Sequence, residues 1–200
     1  TLTLYASVTT AAYSGTAYTA VPSLSTGSTG SGTGAVTYSI ATGGNASSCT
    51  LSSSADNATL TAASIGTCYI KATKAADSNY NSAESSNLIF TFTKAILATP
   101  ADPTVTQALY YSTQLEVSWT AVSNASSYTV SWYDSAGSTL INTAQVLSTV
   151  SSYSITPLAS NTTYKVTVRA NGTSNFVNSS ESNMVSATTK VQPALPASFT

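Results

Sequence analysis

Histidine is absent from the 200 residues. Nucleophile systems of the Ser-His-Asp or Cys-His type need an imidazole base, so none can be assembled within this chain. Zinc ligated by histidine is excluded for the same reason, and two cysteines cannot close a Cys-rich site. Charge is nearly as scarce: six Lys and Arg stand against seven Asp and Glu, for a net charge of -1. That balance leaves no basic footprint for nucleic acid or for anionic lipid, so no nucleic-acid partner is expected. Long hydrophobic runs are missing too. The longest, such as Leu88-Ile89-Phe90, fall far below the roughly 18 residues that span a bilayer, and no membrane insertion is expected. Few charges also mean weak electrostatic steering and little self-repulsion, so close packing beside identical copies costs little.

Ser and Thr fill the space these absences leave, with 71 residues, and tyrosine occurs twelve times. A hydrophobic content of 42% with so little net charge argues against disorder. Apolar and polar residues alternate with period two throughout, and no window carries a helical stripe. In the first half this predicts strands near Leu2–Ser7, Ala17–Leu24, Ala35–Ile40, Cys49–Ser52, Ala58–Ala62, Gly66–Thr73 and Ser86–Lys94. In the second half it predicts Thr104–Ala108, Gln114–Thr120, Ser127–Tyr133, Leu140–Thr143, Ser152–Thr156, Thr163–Asn171 and Met184–Thr189. Seven short strands per half suggest Greek-key sandwiches. The expected fold is therefore all-β, two tandem Greek-key β-sandwiches. The domains are placed at 1–97 and 104–190. A stiff Pro linker at 98–103 joins them, carrying Pro100 and Pro103. A tail at 191–200 repeats the Pro-Ala-x-Pro string at Pro193–Pro196, and Phe199-Thr200 is expected to head into a further domain. The chain opens already alternating at Thr1-Leu2-Thr3-Leu4, as a mature or excised piece of a longer protein would. Cys49 and Cys68 lie in short alternating segments and suggest one disulfide and an extracellular compartment; two buried free thiols are the alternative.

Sites for chemistry are few. The carboxylates Asp56, Asp77, Glu84, Asp102, Glu116, Asp134 and Glu181 are scattered and form no evident glycosidase pair. The Gly27–Gly34 string lacks a phosphate-binding lysine and leads into a strand, which makes it an inter-strand loop. Asp77, Asn79 and Asn81 place oxygen ligands at alternate positions like the start of a calcium loop. Ser82 stands where the glycine of such a loop belongs, and Leu88 where its last acidic ligand belongs. A turn with Asp and Asn side chains bonding backbone is the competing reading. Lys71, Lys94 or Lys165 could enter a Lys–Asn cross-link, though no motif picks out a trio. Six Asn-x-Ser/Thr strings occur, at Asn45, Asn57, Asn124, Asn161, Asn171 and Asn178, where this Ser/Thr content gives about four by chance, so they are a poor signal of glycosylation. Tyr5, Tyr38, Tyr69, Tyr128, Tyr153 and Tyr164 occupy alternating strand positions and are read as core or edge packing. Tyr13, Tyr18, Tyr80, Tyr110, Tyr111 and Tyr133 are read at strand ends or loops. No cofactor and no catalytic residue is expected.

The second half carries a family resemblance. Trp119 in Leu115-Glu116-Val117-Ser118-Trp119, the run Tyr128-Thr129-Val130-Ser131-Trp132, and Leu158 followed by Tyr164-Lys165-Val166-Thr167-Val168 together resemble a fibronectin type III domain over about residues 100–190. The resemblance implies a sandwich with Trp119, Tyr128, Trp132, Leu158 and Tyr164 in its core. It also implies a tyrosine corner, the Tyr164 hydroxyl bonding nearby backbone. The first half resembles a bacterial Ig-like repeat of large surface proteins. Gly32–Ile40, Cys49 and Gly66–Asn81 carry that likeness over about residues 1–95. It implies a repeated secreted building block with Cys49 and Cys68 on adjacent strands.

These readings converge on a non-catalytic structural module of an extracellular bacterial surface assembly: a fibre, sheath, surface layer or stalk. Its partners are copies of itself or neighbouring domains of the same long chain. The alternatives are an adhesin module that binds a surface glycan or protein, an accessory domain of a secreted polysaccharide-degrading enzyme, and a phage surface protein.

Overall fold

Nine residues of near-perfect alternation, Thr163–Asn171, show how the sequence sets the architecture. Tyr164, Val166, Val168 and Ala170 are buried on one face, while Lys165 and Arg169 stay partly open on the other. β-Branched and aromatic residues at every second position suit a pleated, half-buried surface. The computed structural model describes residues 1–193 and divides into two compact units that meet at Ala95/Ile96. Both are built of strands, turns and irregular loops, with no helix among the described residues.

The first unit contains β1 (Leu2–Ala6), β2 (Thr10–Ala12), β3 (Tyr18–Ala20), β4 (Leu24–Ser28) and β5 (Val36–Ala41). It continues with β6 (Thr50–Leu51), β7 (Leu60–Ala62), β8 (Gly66–Lys74), β9 (Ala83–Glu84) and β10 (Leu88–Thr93). One sheet runs β2-β10-β8-β5, with β9 also paired to β8; β3-β7-β6 and β1-β4 form two smaller sheets. Leu4, Tyr18, Leu24, Leu60, Ile70, Phe90 and Phe92 are buried in the core between them. Tyr18 is 3% exposed and stands edge-on to Phe92, with ring centroids 5.9 Å apart. It is the first residue of β3, at a strand end as expected, with its ring in the core. Tyr5, on β1 of the two-stranded β1-β4 sheet, is 55% exposed and packs at the edge, its ring lying over Gly27. The predicted strand Ala17–Leu24 is also revised. Pro22 lacks an N–H for the ladder, Ser23 takes a positive φ of 41°, and the chain breaks into β3 and β4. Gly27 and Ser28, expected in a loop, belong to β4.

Cys49 and Cys68 are joined in a disulfide with their Cα atoms 5.8 Å apart. Adjacent strands were expected; instead Cys68 lies in β8 of the five-stranded sheet, and Cys49 immediately precedes β6 of the β3-β7-β6 sheet. The bridge ties one layer of the sandwich to the other.

After β11 (Ala95–Ile96) come β12 (Thr104–Gln107), β13 (Leu115–Ser118), β14 (Ser127–Tyr133) and β15 (Leu140–Leu147). Then follow β16 (Ser152–Ile155), β17 (Thr163–Asn171), β18 (Phe176–Val177) and β19 (Val185–Thr188). A three-stranded sheet β12-β13-β16 lies over a four-stranded sheet β15-β14-β17-β19. In the latter, β14 and β17 set Tyr128 opposite Ala170, Val130 opposite Val168, and Trp132 opposite Val166. Leu115, Val117 and Ile155 supply the facing layer. Trp119 lies 5.3 Å from the Tyr128 ring, centroid to centroid. Its indole N–H is the one buried side-chain polar atom without a hydrogen-bond partner among the described residues, so Trp119 contributes through packing. In the segment 98–103, expected to be a stiff Pro linker, Pro100 and Pro103 are buried, and Leu97 just before it sits in the core of this unit. The expected second Pro-Ala-x-Pro string and the lead toward a further domain lie, beyond Pro193, outside the described residues.

Two outcomes follow from these cores. Trp119→Ala should destabilise the second unit by about 3–5 kcal/mol, as large aromatic truncations do, and leave the first unit's calorimetric transition in place. Reduction of Cys49–Cys68 should lower only the first unit's transition, by a loss on the order of 3 kcal/mol in the loop-entropy account. A matching shift in the second unit's transition would contradict the separation of the cores.

Candidate interaction surfaces

Most functional groups in this chain face inward, toward its own backbone. Asp77 is the clearest case. One carboxylate oxygen accepts from the N–H groups of Asn79 (2.8 Å) and Tyr80 (2.9 Å). The other accepts from the N–H of Thr33 at 2.5 Å and from its hydroxyl at 3.3 Å. The side chain clasps two loops together, and the Tyr80 hydroxyl reaches Ser31 at 3.1 Å. Asn81 and Tyr80 line a cavity of about 140 Å³ at this end of the unit. The backbone N–H of Asn79, followed by that of Thr33, holds the Asp77 carboxyl below its ordinary value of 3.8.

The other carboxylates follow suit. Glu84 pairs with Lys71 at 2.8 Å. Asp102 accepts from the Asn183 N–H at 3.2 Å. Glu116 accepts from Gln114 and from the Ser154 hydroxyl. Asp134 accepts from the N–H groups of Ser138 and Thr139, which hold its carboxyl below the usual range, Thr139 foremost. Glu181 accepts from the Thr167 hydroxyl at 2.9 Å and the Tyr133 hydroxyl at 3.2 Å. Asp56 lies beside the Tyr38 hydroxyl, whose ionisation is pushed up by burial first and by that carboxylate second. Lysines are committed as well: Lys165 Nζ donates to Ala136 O at 3.0 Å, and Lys190 Nζ to Leu109 O at 2.6 Å.

The core tyrosines use their hydroxyls the same way. Tyr128 accepts from the Val122 N–H at 2.7 Å, and Tyr164 accepts from the Ala159 N–H at 3.0 Å, closing the corner before β17. Leu158 and Trp132 are buried beside them, and Trp132 stacks on Tyr153 at 6.4 Å. The asparagines of the Asn-x-Ser/Thr strings are structural. Asn57, Asn124 and Asn161 hold positive φ in turns, a conformation Asn tolerates. Asn45 accepts from the Thr67 N–H and hydroxyl, and Asn171 is buried.

Sequence reading missed a pair of serines with matching roles. Ser85 Oγ accepts from the Ala72 N–H of β8 and donates to Ser86 O. Ser182 Oγ accepts from the Val168 N–H of β17 and donates to Asn183 O. Each stands in for a missing strand partner, and each follows a glutamate in a related string, Asn81-Ser82-Ala83-Glu84-Ser85 and Asn178-Ser179-Ser180-Glu181-Ser182. That internal repeat was the available signal, hidden among 71 hydroxyl residues.

Two exposed surfaces stand out among the described residues. The first is a concavity of about 450 Å³ on the outer face of β14, β15 and β17, lined by Thr129, Tyr133, Leu140, Gln145, Arg169 and Glu181. Arg169, the single arginine of the chain, donates from Nε to Asn171 Oδ1 at 3.4 Å. The second is the uncharged edge of β15, with Leu140, Ile141 and Leu147 about half exposed or more. Tyr110 and Tyr111, 84% and 60% exposed, sit in the loop between β12 and β13.

The Asp77 clasp has a pH signature. Its carboxyl is held low in the folded state, so its contribution is present above the ordinary carboxylate value and is lost as the pH falls through the lowered one. First-unit stability should therefore drop on acidification below about pH 4, and Asp77→Asn should flatten that drop. Parallel acid profiles for the two proteins, followed by circular dichroism, would contradict the clasp.

Comparison with known proteins adds a family to this geometry. Residues 98–186 match the family model described as Fibronectin type III domain. Among solved structures, the chicken CNTN1 FN1–FN3 domains are 16% identical with a TM-score of 0.45. That match covers 78% of this chain and 54% of theirs, so this chain spans about half the length of that structure. An fn3 domain of human contactin 1 is 25% identical with a TM-score of 0.42, covering 54% of this chain and 91% of that one. An FN3 domain of human collagen XX is 23% identical with a TM-score of 0.37, covering 48% and 96%. No curated protein matches. The family match falls on the three-on-four sandwich, and the second unit of this chain has the fibronectin type III sandwich fold.

Proposed function

We propose that this chain is a non-catalytic structural module of an extracellular bacterial surface assembly, in contact with copies of itself or with neighbouring domains of a longer chain. One observation carries the reading: the carboxylates act as fasteners. All seven touch a loop, strand or hydroxyl of the chain's own fold. A catalytic carboxylate pair needs two such groups facing one substrate with their environments set apart, and these are spread over both units. The disulfide suits an oxidising compartment outside the cytosol. Near-neutral charge suits dense packing of copies, since self-repulsion scales with net charge.

A second reading, a module that binds a surface glycan or protein, is favoured by the concavity around Arg169. Its guanidinium, the Glu181 carboxylate, the Gln145 amide and the Tyr133 ring converge there. Ligand sites combine such a small set of polar groups with apolar and aromatic contact.

Immunogold labelling of the source cells with antibody to this chain tests the first reading. Label should decorate ordered material outside the cell. Label confined to the cell interior, or found only on dispersed soluble protein, would sink the assembly function.

A further inference from the structure

Strand β15 is bonded to β14 on one side only. It is eight residues long and carries neither charge nor proline. Proteins ordinarily blunt such an edge with lysine, proline or a covering segment, because an open ladder is a template for another chain. Other strands show that blunting. At β19, the opposite edge of the same sheet, Gln107 Nε2 donates to Thr188 O at 2.8 Å. At β5, the Tyr38 N–H donates to Ser54 O at 2.9 Å. On β15 the guards are slight. Asn142 Oδ1 accepts from the Thr143 N–H at 2.8 Å, and the Val150 N–H closes a turn onto Leu147 O at 3.0 Å.

These two bonds also settle the parity of the strand. Peptide groups of successive residues point to opposite sides, and Thr143 and Leu147 point theirs away from β14. Gln145 lies between them with its N–H and C=O directed outward.

We propose that two copies of this chain pair at β15, antiparallel, about a two-fold axis through Ala144. A symmetric pair is isologous, and an antiparallel ladder sets outward residues opposite outward residues. The register that satisfies both places Thr143 opposite Gln145 of the second copy, twice, with two main-chain hydrogen bonds in each pair. It places Ile141 opposite Leu147 at both ends. Those side chains are 48% and 70% exposed in the single chain, and cross-strand apolar pairing shields them. The strand is complementary to itself: apolar at each end, hydrogen-bonding beside the centre, small on the axis, and without a charge to meet its like. That is the argument for a second copy as the occupant. Thr143 exchanges a side-chain acceptor for a main-chain one. The pairing rests on the assembly function proposed above and names its contact.

Sedimentation velocity of the full 200-residue chain over a wide concentration range tests it, with two variants. Thr143→Lys with Gln145→Lys sets lysine opposite lysine at both pairs. Thr143→Lys with Gln145→Glu sets lysine opposite glutamate at both. All four side-chain positions lie on the exposed outer face, and unchanged thermal unfolding verifies that each variant folds. The unaltered chain should dimerise. The Lys/Lys variant should raise the dissociation constant about tenfold or more, and the Lys/Glu variant should restore pairing, most strongly at low salt. A Lys/Lys variant that associates like the unaltered chain would overturn the β15 contact while leaving the assembly function standing. Failure of Lys/Glu to restore a lost dimer would overturn the register. A monomer at every concentration would overturn the pairing outright, and the immunogold result would then decide the assembly function separately.

Discussion

Each sandwich is built against one long strand that has to be bonded on both sides. In the first unit it is β8 and in the second β17, each nine residues long. A central strand offers main-chain donors and acceptors along both edges, and every one left unpaired in the interior costs on the order of 1–3 kcal/mol. Neighbouring strands satisfy most of them. Where the next strand has not yet arrived, a buried serine takes its place, Ser85 at Ala72 and Ser182 at Val168. The apolar faces of β8 and β17 can then be buried at no polar cost. The opposite sheets close over them, and the disulfide and the tyrosine corner fix the loops that result.

This arrangement explains how a chain with 13 charged residues keeps its loops in place. Surface ion pairs contribute little even where they are plentiful, and here the described residues hold one, Lys71 with Glu84. The carboxylates act instead as acceptors for backbone N–H groups, a use in which one side chain can organise several peptides. Asp77 holds Thr33, Asn79 and Tyr80; Asp134 holds Ser138 and Thr139. Hydroxyl side chains do the remaining fastening at close range, since Ser and Thr both donate and accept.

Much of the fold was legible because alternation and burial coincide in β14 and β17, whose observed limits match the predicted ones. The core residues Trp119, Tyr128, Trp132, Leu158 and Tyr164 were implied by the fibronectin type III resemblance, and all five are buried. Legibility failed where the sequence pattern and the environment part. Strand β15 was read only to Thr143 and runs to Leu147. It is an edge strand whose inner face rests on Ala144 and Val146, while the apolar Leu140, Ile141 and Leu147 are exposed, so apolar character and burial do not coincide along it. The split between β3 and β4 hangs on Pro22 and the positive φ of Ser23, which hydrophobic alternation across Ala17–Leu24 conceals. The placement of Cys49 and Cys68 in different layers depends on which strand crosses to which sheet, a matter of topology rather than spacing. The two serines were lost in a composition where hydroxyl residues are the background.

The turn after β17 carries a consequence for how such a protein ages. Asn171-Gly172 is the dipeptide most prone to spontaneous deamidation, in which the following peptide nitrogen attacks the asparagine amide carbon. Glycine is required there, since a Cβ at position 172 would meet the Phe176 carbonyl oxygen at 2.2 Å. The fold instead restrains both reactants. The Asn171 amide donates to Ser127 and Thr129 at 3.0 and 2.9 Å, and the Gly172 nitrogen donates to Asn178 at 2.9 Å. With the nucleophile and its target each held in a separate hydrogen bond, this dipeptide is restrained from reacting for as long as the sheet stays folded.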